Sequence, residues 1–321
     1  MIFLNDRLTS HLGDAAVNNT AFFNQQLTHI VARLFTVKYK EIKFRDAFRI
    51  NNEGGAGITS VQLNVWDMVG SAKIIGHYSD DLPSSGAGAT QVTVPVRWIG
   101  DSFHWSWMEI EQAAYAGVGL KDMRAMAANK AIEIKLNNIA FGVDEEATDA
   151  GIYGLMNNPN VPDAPVIDGA AGTTEWETKT PNEILLDINN AFSTVSVTTD
   201  GVHQPNMLSM PIKQWNLLAT TRISDLVETT LLQFIVKQSP WINSMEQIKQ
   251  QPELAGAGPD GEDIFYVYQD DDEVAEFYIP YEKNTPVGTL VDGIAYKTPM
   301  IASTGGLDIR YPLAYYKGTG I

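Results

Sequence analysis

An α+β fold is what the sequence predicts, and three observations predict it. Two segments, 61–78 and 90–107, alternate apolar and polar residues with the period of two that marks strands. Two later stretches place apolar residues at intervals of three and four, behind or beside helix-start signals. The order of strands, helices, mixed elements and strands holds no repeated βαβ unit and no internal repeat.

The connector between the two alternating segments, DDLPSSGAGA over 80–89, is rich in Gly, Ser and Pro, so the whole reads as a long hairpin with a mobile tip. A two-stranded hairpin is marginal alone and needs another surface to lie on, which a partner subunit can supply. Ser106 and Glu109 have the spacing of a capping box, in which each side chain satisfies an orphan amide at a helix start. Gly117 and Gly119 interrupt that helix. The stretch after them places Met123, Ala127, Ala131, Ile134, Asn138 and Phe141 on one mostly apolar face of a helix ending at Gly142, about six turns long.

Residues 151–172 are dense in Gly, Pro and Asn and read as a loop between subdomains. Thr180, Pro181 and Glu183 then form a second capping box, followed by the stripe Ile184, Leu185, Ile188, Phe192 and Val195. Asp200 and Gly201 mark a turn, Asn206–Met210 a short buried strand, Pro211–Ala219 a helix, and about Asp225 to Gln238 another. AGAGPDGED at 255–263 is a break. IFYVYQ and VAEFYIP read as strands flanking the acidic turn Asp270–Glu273, and further strands lie around Met300 and in DIRYPLAYY.

With 321 residues, 44% apolar and 19% charged, the composition is that of a compact protein of one large or two ordinary domains. There is no cysteine, so disulfides, thiolate zinc sites and cysteine nucleophiles are excluded, as suits a reducing cytoplasm. Asn5 and Asp6 interrupt the apolar start that a signal peptide needs, and no run approaches the length of a membrane span, so the chain reads as soluble and unexported. The formal charge of −17 argues against a sequence-reading nucleic-acid binder. Residues 1–50 nevertheless carry a net +3, from Arg7, Arg33, Lys38, Lys40, Lys43, Arg45 and Arg49 against four acids. This is the charge of an arm that lies on an acidic surface, its own or a neighbour's.

A search for chemistry assigns no catalytic, cofactor-binding or metal-ligating residue, and no cofactor. His11, His29, His77, His104 and His203 are scattered without metal-ligand spacing. No G-x-S-x-G occurs. Gly117 to Lys121 falls short of a phosphate loop in glycine spacing and in the residue after the lysine, Asp122. Gly54, Gly55 and Gly57 do not complete a dinucleotide fingerprint. Asp270–Glu273 lacks calcium-loop spacing, and Asp144, Glu145 and Glu146 read as a solvated turn. Trp98, Trp105 and Trp107 cluster where hairpin meets helix and are core or interface residues.

Two phrases carry a resemblance. Gly151-Ile-Tyr-Gly-Leu-Met-Asn-Asn-Pro159 and the tail Gly305-Gly-Leu-Asp-Ile-Arg-Tyr-Pro312 through Gly320-Ile321 resemble those of tailed-bacteriophage major capsid proteins with the HK97-type fold. With the order of elements, the likeness covers nearly the whole chain after about residue 30. It implies an N-terminal arm over 1–50, an extended E-loop hairpin region over 51–107, and the spine helix with part of the P domain over 108–180. An A domain over 181–295 and C-terminal strands over 296–321 complete it. It further implies hexamers and pentamers closing into an icosahedral shell around double-stranded DNA, with hairpins and arms reaching across neighbours, in a virion assembled in the host cytoplasm. The short segment ahead of the arm implies a separate scaffold or none, and a portal or decoration protein completes the partners. No lysine and asparagine match the pair that crosslinks some members. Two other readings are weighed: an encapsulin-like nanocompartment shell, and an enzyme with no recognisable motif. A surface or adhesion protein is disfavoured by the missing signal peptide.

Overall fold

The structure, a computed structural model, describes residues 40–74, 82–115, 119–224, 227–291 and 293–321. The basic segment before residue 40, the centre of the hairpin connector at 75–81 and part of the glycine interruption at 116–118 lie outside the described residues. From Ile42 onward the chain forms one unit.

The chain passes through a short helix α1 (Phe44–Ala47) and a two-residue strand β1 (Ile50–Asn51). Strands β2 (Ser60–Val69) and β3 (Gly86–Pro95) pair antiparallel along their whole length. Only Val96 separates β3 from β4 (Arg97–Ser106). Three helices follow: α2 (Trp107–Tyr115), α3 (Leu120–Phe141) and α4 (Glu145–Asp149). Next come β5 (Asp163–Pro165), α5 (Pro181–Thr198), β6 (Met207–Met210) and α6 (Ile212–Thr220). A small hairpin of β7 (Arg222–Ser224) and β8 (Val227–Thr230) leads into α7 (Leu231–Gln238) and β9 (Ile248–Gln250). The last third holds β10 (Ile264–Tyr268), β11 (Ala275–Tyr278), β12 (Tyr281–Asn284), β13 (Thr289–Val291), β14 (Ala295–Thr304), β15 (Gly306–Ile309) and β16 (Tyr315–Thr319).

Strand β10 is central to the architecture. It lies in the middle of the five-stranded sheet β5-β16-β10-β6-β9, and all five of its residues are buried. Its alternate side chains enter two different cores. Ile264, Tyr266 and Tyr268 join the core under α3, while Phe265 and Val267 join the core built by α5, α6 and α7. A strand covered on both faces needs a continuous apolar run, which is what IFYVY supplies. A second sheet is built on β14, which pairs with β4 through all ten of its residues on one side and with β12 and β13 on the other. A third sheet, β1-β11-β15, ties the start of the unit to its end.

Several sequence expectations change here. The period-2 segment 90–107 is two strands, because the alternation runs on through the buried Val96 while the pairing partner switches from β2 to β14. The first strand ends at Val69, and the Gly-Ala run 86–89 belongs to β3 rather than to the connector. Helix α3 has the expected end at Gly142, whose φ of +79° closes it, but its buried face is different. Ala128, Ile132, Leu136, Ile139, Ala140 and Phe141 face the core. Of the expected stripe only Phe141 is buried; Met123, Ala127, Ala131 and Ile134 are exposed. Apolar residues occupy every side of this helix, so spacing alone does not choose the buried one. Helix α7 begins at Leu231, not near Asp225, because the β-branched run before it forms β8 and Thr230 caps the helix by accepting from Gln233 N. The strands on either side of Asp270–Glu273 belong to different sheets. Asp144 is not a solvated turn residue: it caps α4 by accepting from Ala147 N and pairs with Lys135 at 2.8 Å.

Both capping boxes form. Ser106 and Glu109 exchange backbone bonds at 3.1 and 3.2 Å. Glu183 accepts from Thr180 N and, through its other oxygen, from Ala170 N, both at 2.7 Å. These amides, Thr180's first, hold the Glu183 carboxyl below the usual glutamate range. The native state therefore favours the charged form, so this contribution to stability is complete above the ordinary glutamate pKa of about 4.3 and disappears as pH falls through the lower native value. E183Q should flatten the fall of the melting temperature below about pH 5 relative to the parent; an unchanged acid limb would show that the carboxylate contributes nothing.

Ahead of α5, Lys179 reaches back into the helix. Its ammonium and the Asp187 carboxylate are almost wholly buried and meet at 2.6 Å, while Trp176 Nε1 and Ile167 O complete the bonding at 3.1 and 2.6 Å. Burial pushes the Asp187 carboxyl up, against the pull of Lys179. Removing one partner leaves an uncompensated buried charge, whereas replacing both with apolar groups is close to neutral. In chemical denaturation, K179M should lose about 3–5 kcal/mol and K179M/D187L should recover most of it; equal losses would refute this reading.

Candidate assembly surface

The C-terminus of α3 positions much of what surrounds it. Gly142 N donates to Ile139 O and Val143 N to Asn138 O, the pattern of a Schellman cap. The next two carbonyls are met from outside: Leu155 N donates to Ala140 O at 2.9 Å and Met156 N to Phe141 O at 3.0 Å. The approach is so close that a Cβ on Gly154 would collide with Gly142 N and Ile139 O. Asn157 locks the turn, accepting from Gly154 N at 2.7 Å and donating to Thr148 Oγ1 at 2.6 Å. Gly306, at φ +80°, packs against Ile152 and Tyr153, and Leu307 N donates to Tyr153 O at 2.9 Å. The two phrases singled out in the sequence thus touch each other at the end of this helix.

The start of the unit is fastened to the same region. Phe44 meets Phe277 edge-on at 5.5 Å and Phe48 meets Phe141 at 5.4 Å. Arg45 bonds Glu133 of α3 at 3.2 Å and Glu282 of β12 at 3.1 Å, and Lys283 also pairs with Glu133. Arg49 reaches Asp270 at 2.9 Å, so these two arginines lie on acidic side chains of their own chain.

From this body the β2–β3 ribbon stands apart. Among the described residues its strands pair only with each other. Trp66 and Met68 are 66% and 85% exposed, and Val65 and Val69 are exposed as well. At the far end of β4 from the ribbon, α2 buries no residue at all. Trp107, Met108 and Tyr115 of α2, with Met126 of α3, present further apolar surface. Arg124 holds α2 in place with two bonds to Glu109, at 3.0 and 3.2 Å, and with Ser106 keeps that carboxyl below its usual range. Trp98 rests edge-on against Tyr281, while Trp105 stacks on its cross-strand partner Tyr296 at 4.3 Å. Large exposed apolar groups in this density mark a contact surface.

Nothing comparable points to catalysis among the described residues. His104 is exposed on β4, and the half-buried His203 shares a hydrogen bond with Gln269 at 3.1 Å. No group of three or more His, Asp or Glu among the described residues is placed to hold a metal ion. In the acidic turn, Asp270 pairs with Arg49, Asp271 accepts from Glu273 N, and Asp272 O accepts from Arg310. A groove of about 700 Å³ between β4 and α3 contains Arg97, Asp101, Lys135 and Glu146. Lys135 is held there between Asp144 and Glu146, which keep its ammonium above the usual lysine range. Sequence reasoning missed the exposed Met108, Met123 and Met126, which hydropathy counts as core.

Comparison with known proteins gives the family and the fold. Residues 70–321 match the family model described as major capsid protein. The fold is similar to the capsid of Myoviridae phage XM1, at 18% identity and a TM-score of 0.78, covering 92% of this chain and 98% of that one. It is also similar to the Gordonia phage Cozz structure, at 15% identity and a TM-score of 0.61 over 92% and 91% of the two chains. A virus-like particle from Pyrococcus furiosus shares 13% identity and a TM-score of 0.54 over 84% and 89%. No curated protein sequence matches.

The contact at the end of α3 makes a prediction. G154A adds a methyl where backbone atoms already touch, an overpacking that costs about 1–3 kcal/mol. Its melting temperature should fall well below that of G172A, a glycine with a positive φ but open space around it. Equal melting temperatures would remove the close approach as a constraint.

Proposed function

The chain belongs to the major capsid protein family, and on that premise we propose that its copies close as hexamers and pentamers into an icosahedral phage head around double-stranded DNA. The shell role follows from the family and the HK97-type fold. The finer reading is that the β2–β3 ribbon is the E-loop, laid across a neighbouring subunit, and that α3 is the spine helix. In it, residues 1–50 form the arm, 51–107 the E-loop region, 108–180 the spine with part of the P domain, 181–295 the A domain, and 296–321 the returning strands.

The observation that carries this is the ribbon itself. An isolated two-stranded sheet with exposed Trp and Met side chains is marginal in water and gains stability only against another surface. A second copy is the partner that a shell provides in equal number. The formal charge of −17 suits a wall that encloses DNA without binding its sequence. The role needs no catalytic residue, cofactor or metal. Scaffold and portal, or decoration protein, would be separate chains, with assembly in the host cytoplasm and the mature protein in the virion. The nanocompartment alternative is not favoured, because the family matched is that of major capsid proteins.

The test separates folding from assembly. Replacing residues 62–93 with Asn-Gly joins the paired Val61 and Val94 by a two-residue turn and removes most of the ribbon. The shortened subunit should melt within about 5 °C of the parent, since the removed part takes no share in the other sheets. Negative-stain microscopy and size-exclusion chromatography should show shells or capsomer rings for the parent and none for the variant. Normal particles from the variant would refute the E-loop assignment, and a parent that stays monomeric in every buffer and with its scaffold would refute the shell reading.

A further inference from the structure

We propose that the outer edge of β4 is the seat of a neighbouring copy's ribbon, which adds its β3 there as a further strand of the β4–β14 sheet. The inference rests on the E-loop reading above and names the surface that the ribbon reaches and the bonds it makes.

Hydrogen bonds across an antiparallel pair fall on every second residue, and the residues between turn their N–H and C=O to the other side. Trp107 N donates to Ile294 O, one step beyond the β4–β14 register, so the odd-numbered residues of β4 bond β14 and the even-numbered ones face outward. Val96 N donates to Thr59 O, which puts the approach to β2 on that same outward side. Beyond Val96 no strand occupies it among the described residues.

Side chains close one half of this edge. Arg124 donates to His104 O, Ser106 N donates to Glu109, and Ser102 N donates to the Asp101 carboxylate at 2.7 Å. The other half is open: Trp98 and Gly100 are exposed, and their outward amides and carbonyls have no partner among the described residues. The groove of about 700 Å³ lies along this open half. Five consecutive residues, 97–101, border it, and successive side chains point to opposite faces, so what it follows is the edge of the strand. Ala131, Ile132, Lys135 and Ile139 of α3 form its far wall. An edge guarded at one end and open beside a groove at the other is a place where a strand can be added.

The ribbon has the matching edge. Even-numbered residues of β3 bond β2, as Val96 does Thr59, so Ala87 and Ala89 turn their N–H and C=O away from β2. Residues 86–89 are Gly-Ala-Gly-Ala, small enough to lie between β4 and the side chains of α3, whereas the part of β2 opposite them carries Trp66 and Met68. A copy's own β3 runs into its β4 through Val96 alone and cannot lie beside it, so the added strand is a neighbour's. Charge permits the approach: copies carrying −17 repel each other, and the ribbon's two strands hold one charged residue, Asp67.

Amide hydrogen exchange of the wild-type protein, read residue by residue, compares free subunits with purified particles. The amides of Ala87, Ala89, Trp98 and Gly100 should each slow by about tenfold or more on assembly, because each gains a bond. Slowing at Ala87 and Ala89 alone would put the ribbon on a different surface and overturn the seat. Slowing at Trp98 and Gly100 alone would give the seat to another segment and overturn the choice of the ribbon. No slowing at any of them would overturn the added strand, while the E-loop reading is decided separately by the ribbon deletion above. The chain has no cysteine, so introduced thiols are the only ones present. In particles treated with a short bismaleimide, A89C/W98C should give a ladder of linked subunits on a denaturing gel, and A89C/V287C, whose second thiol is exposed but outside the groove, should not. Equal ladders, or none from A89C/W98C in intact particles, would overturn the seat.

Discussion

The last carbonyls of α3 have no partners inside their own helix, and the way they are satisfied organises the centre of this subunit. Leu155 and Met156 bring their amides to Ala140 and Phe141, which holds the segment after α4 against the helix end. That segment in turn holds β15 through Tyr153 and the close approach of Gly306. Since β15 pairs with β11 and β11 with β1, the first and last parts of the unit are fixed through one helix terminus. Glycine is required at Gly154 because there is no room for a side chain, and at Gly306 also because φ is positive. The two phrases that resemble capsid proteins are, physically, the two halves of this joint.

Strand β10 adds the second constraint. By sending alternate residues into two cores, it couples the α3 side of the molecule to the α5, α6 and α7 side, and neither can shift without disturbing the other. The buried pair of Lys179 and Asp187 works on the far side of this sheet, where it ties the stretch after β5 to α5. A buried ion pair is weak evidence for stability, but its geometry admits one arrangement of that stretch.

What was legible in the sequence is what is decided locally. The capping boxes at Ser106 and Thr180 and the glycine stop at Gly142 each depend on residues within one turn, and each forms as expected. The buried side of α3 was not legible, because alanine, isoleucine and methionine lie all round it and the choice belongs to Phe48, β4 and β14, far away in sequence. The break at Val96 was hidden for a related reason: the alternation continues without a fault, and only the change of partner from β2 to β14 reveals two strands. The ribbon was legible because its Gly, Ser and Pro connector and its pattern agree, though the exposed apolar surface of α2, Met108 within it, was not. Hydropathy cannot tell a side chain hidden in its own fold from one awaiting a neighbour.

The single residue between β3 and β4 has a mechanical consequence. Val96 is buried and its amide donates to Thr59 O, so the ribbon meets the body at an anchored point rather than through a loose tether. Ten residues of strand reach about 33 Å, so turning the ribbon by about 10° at its root carries its far end about 6 Å.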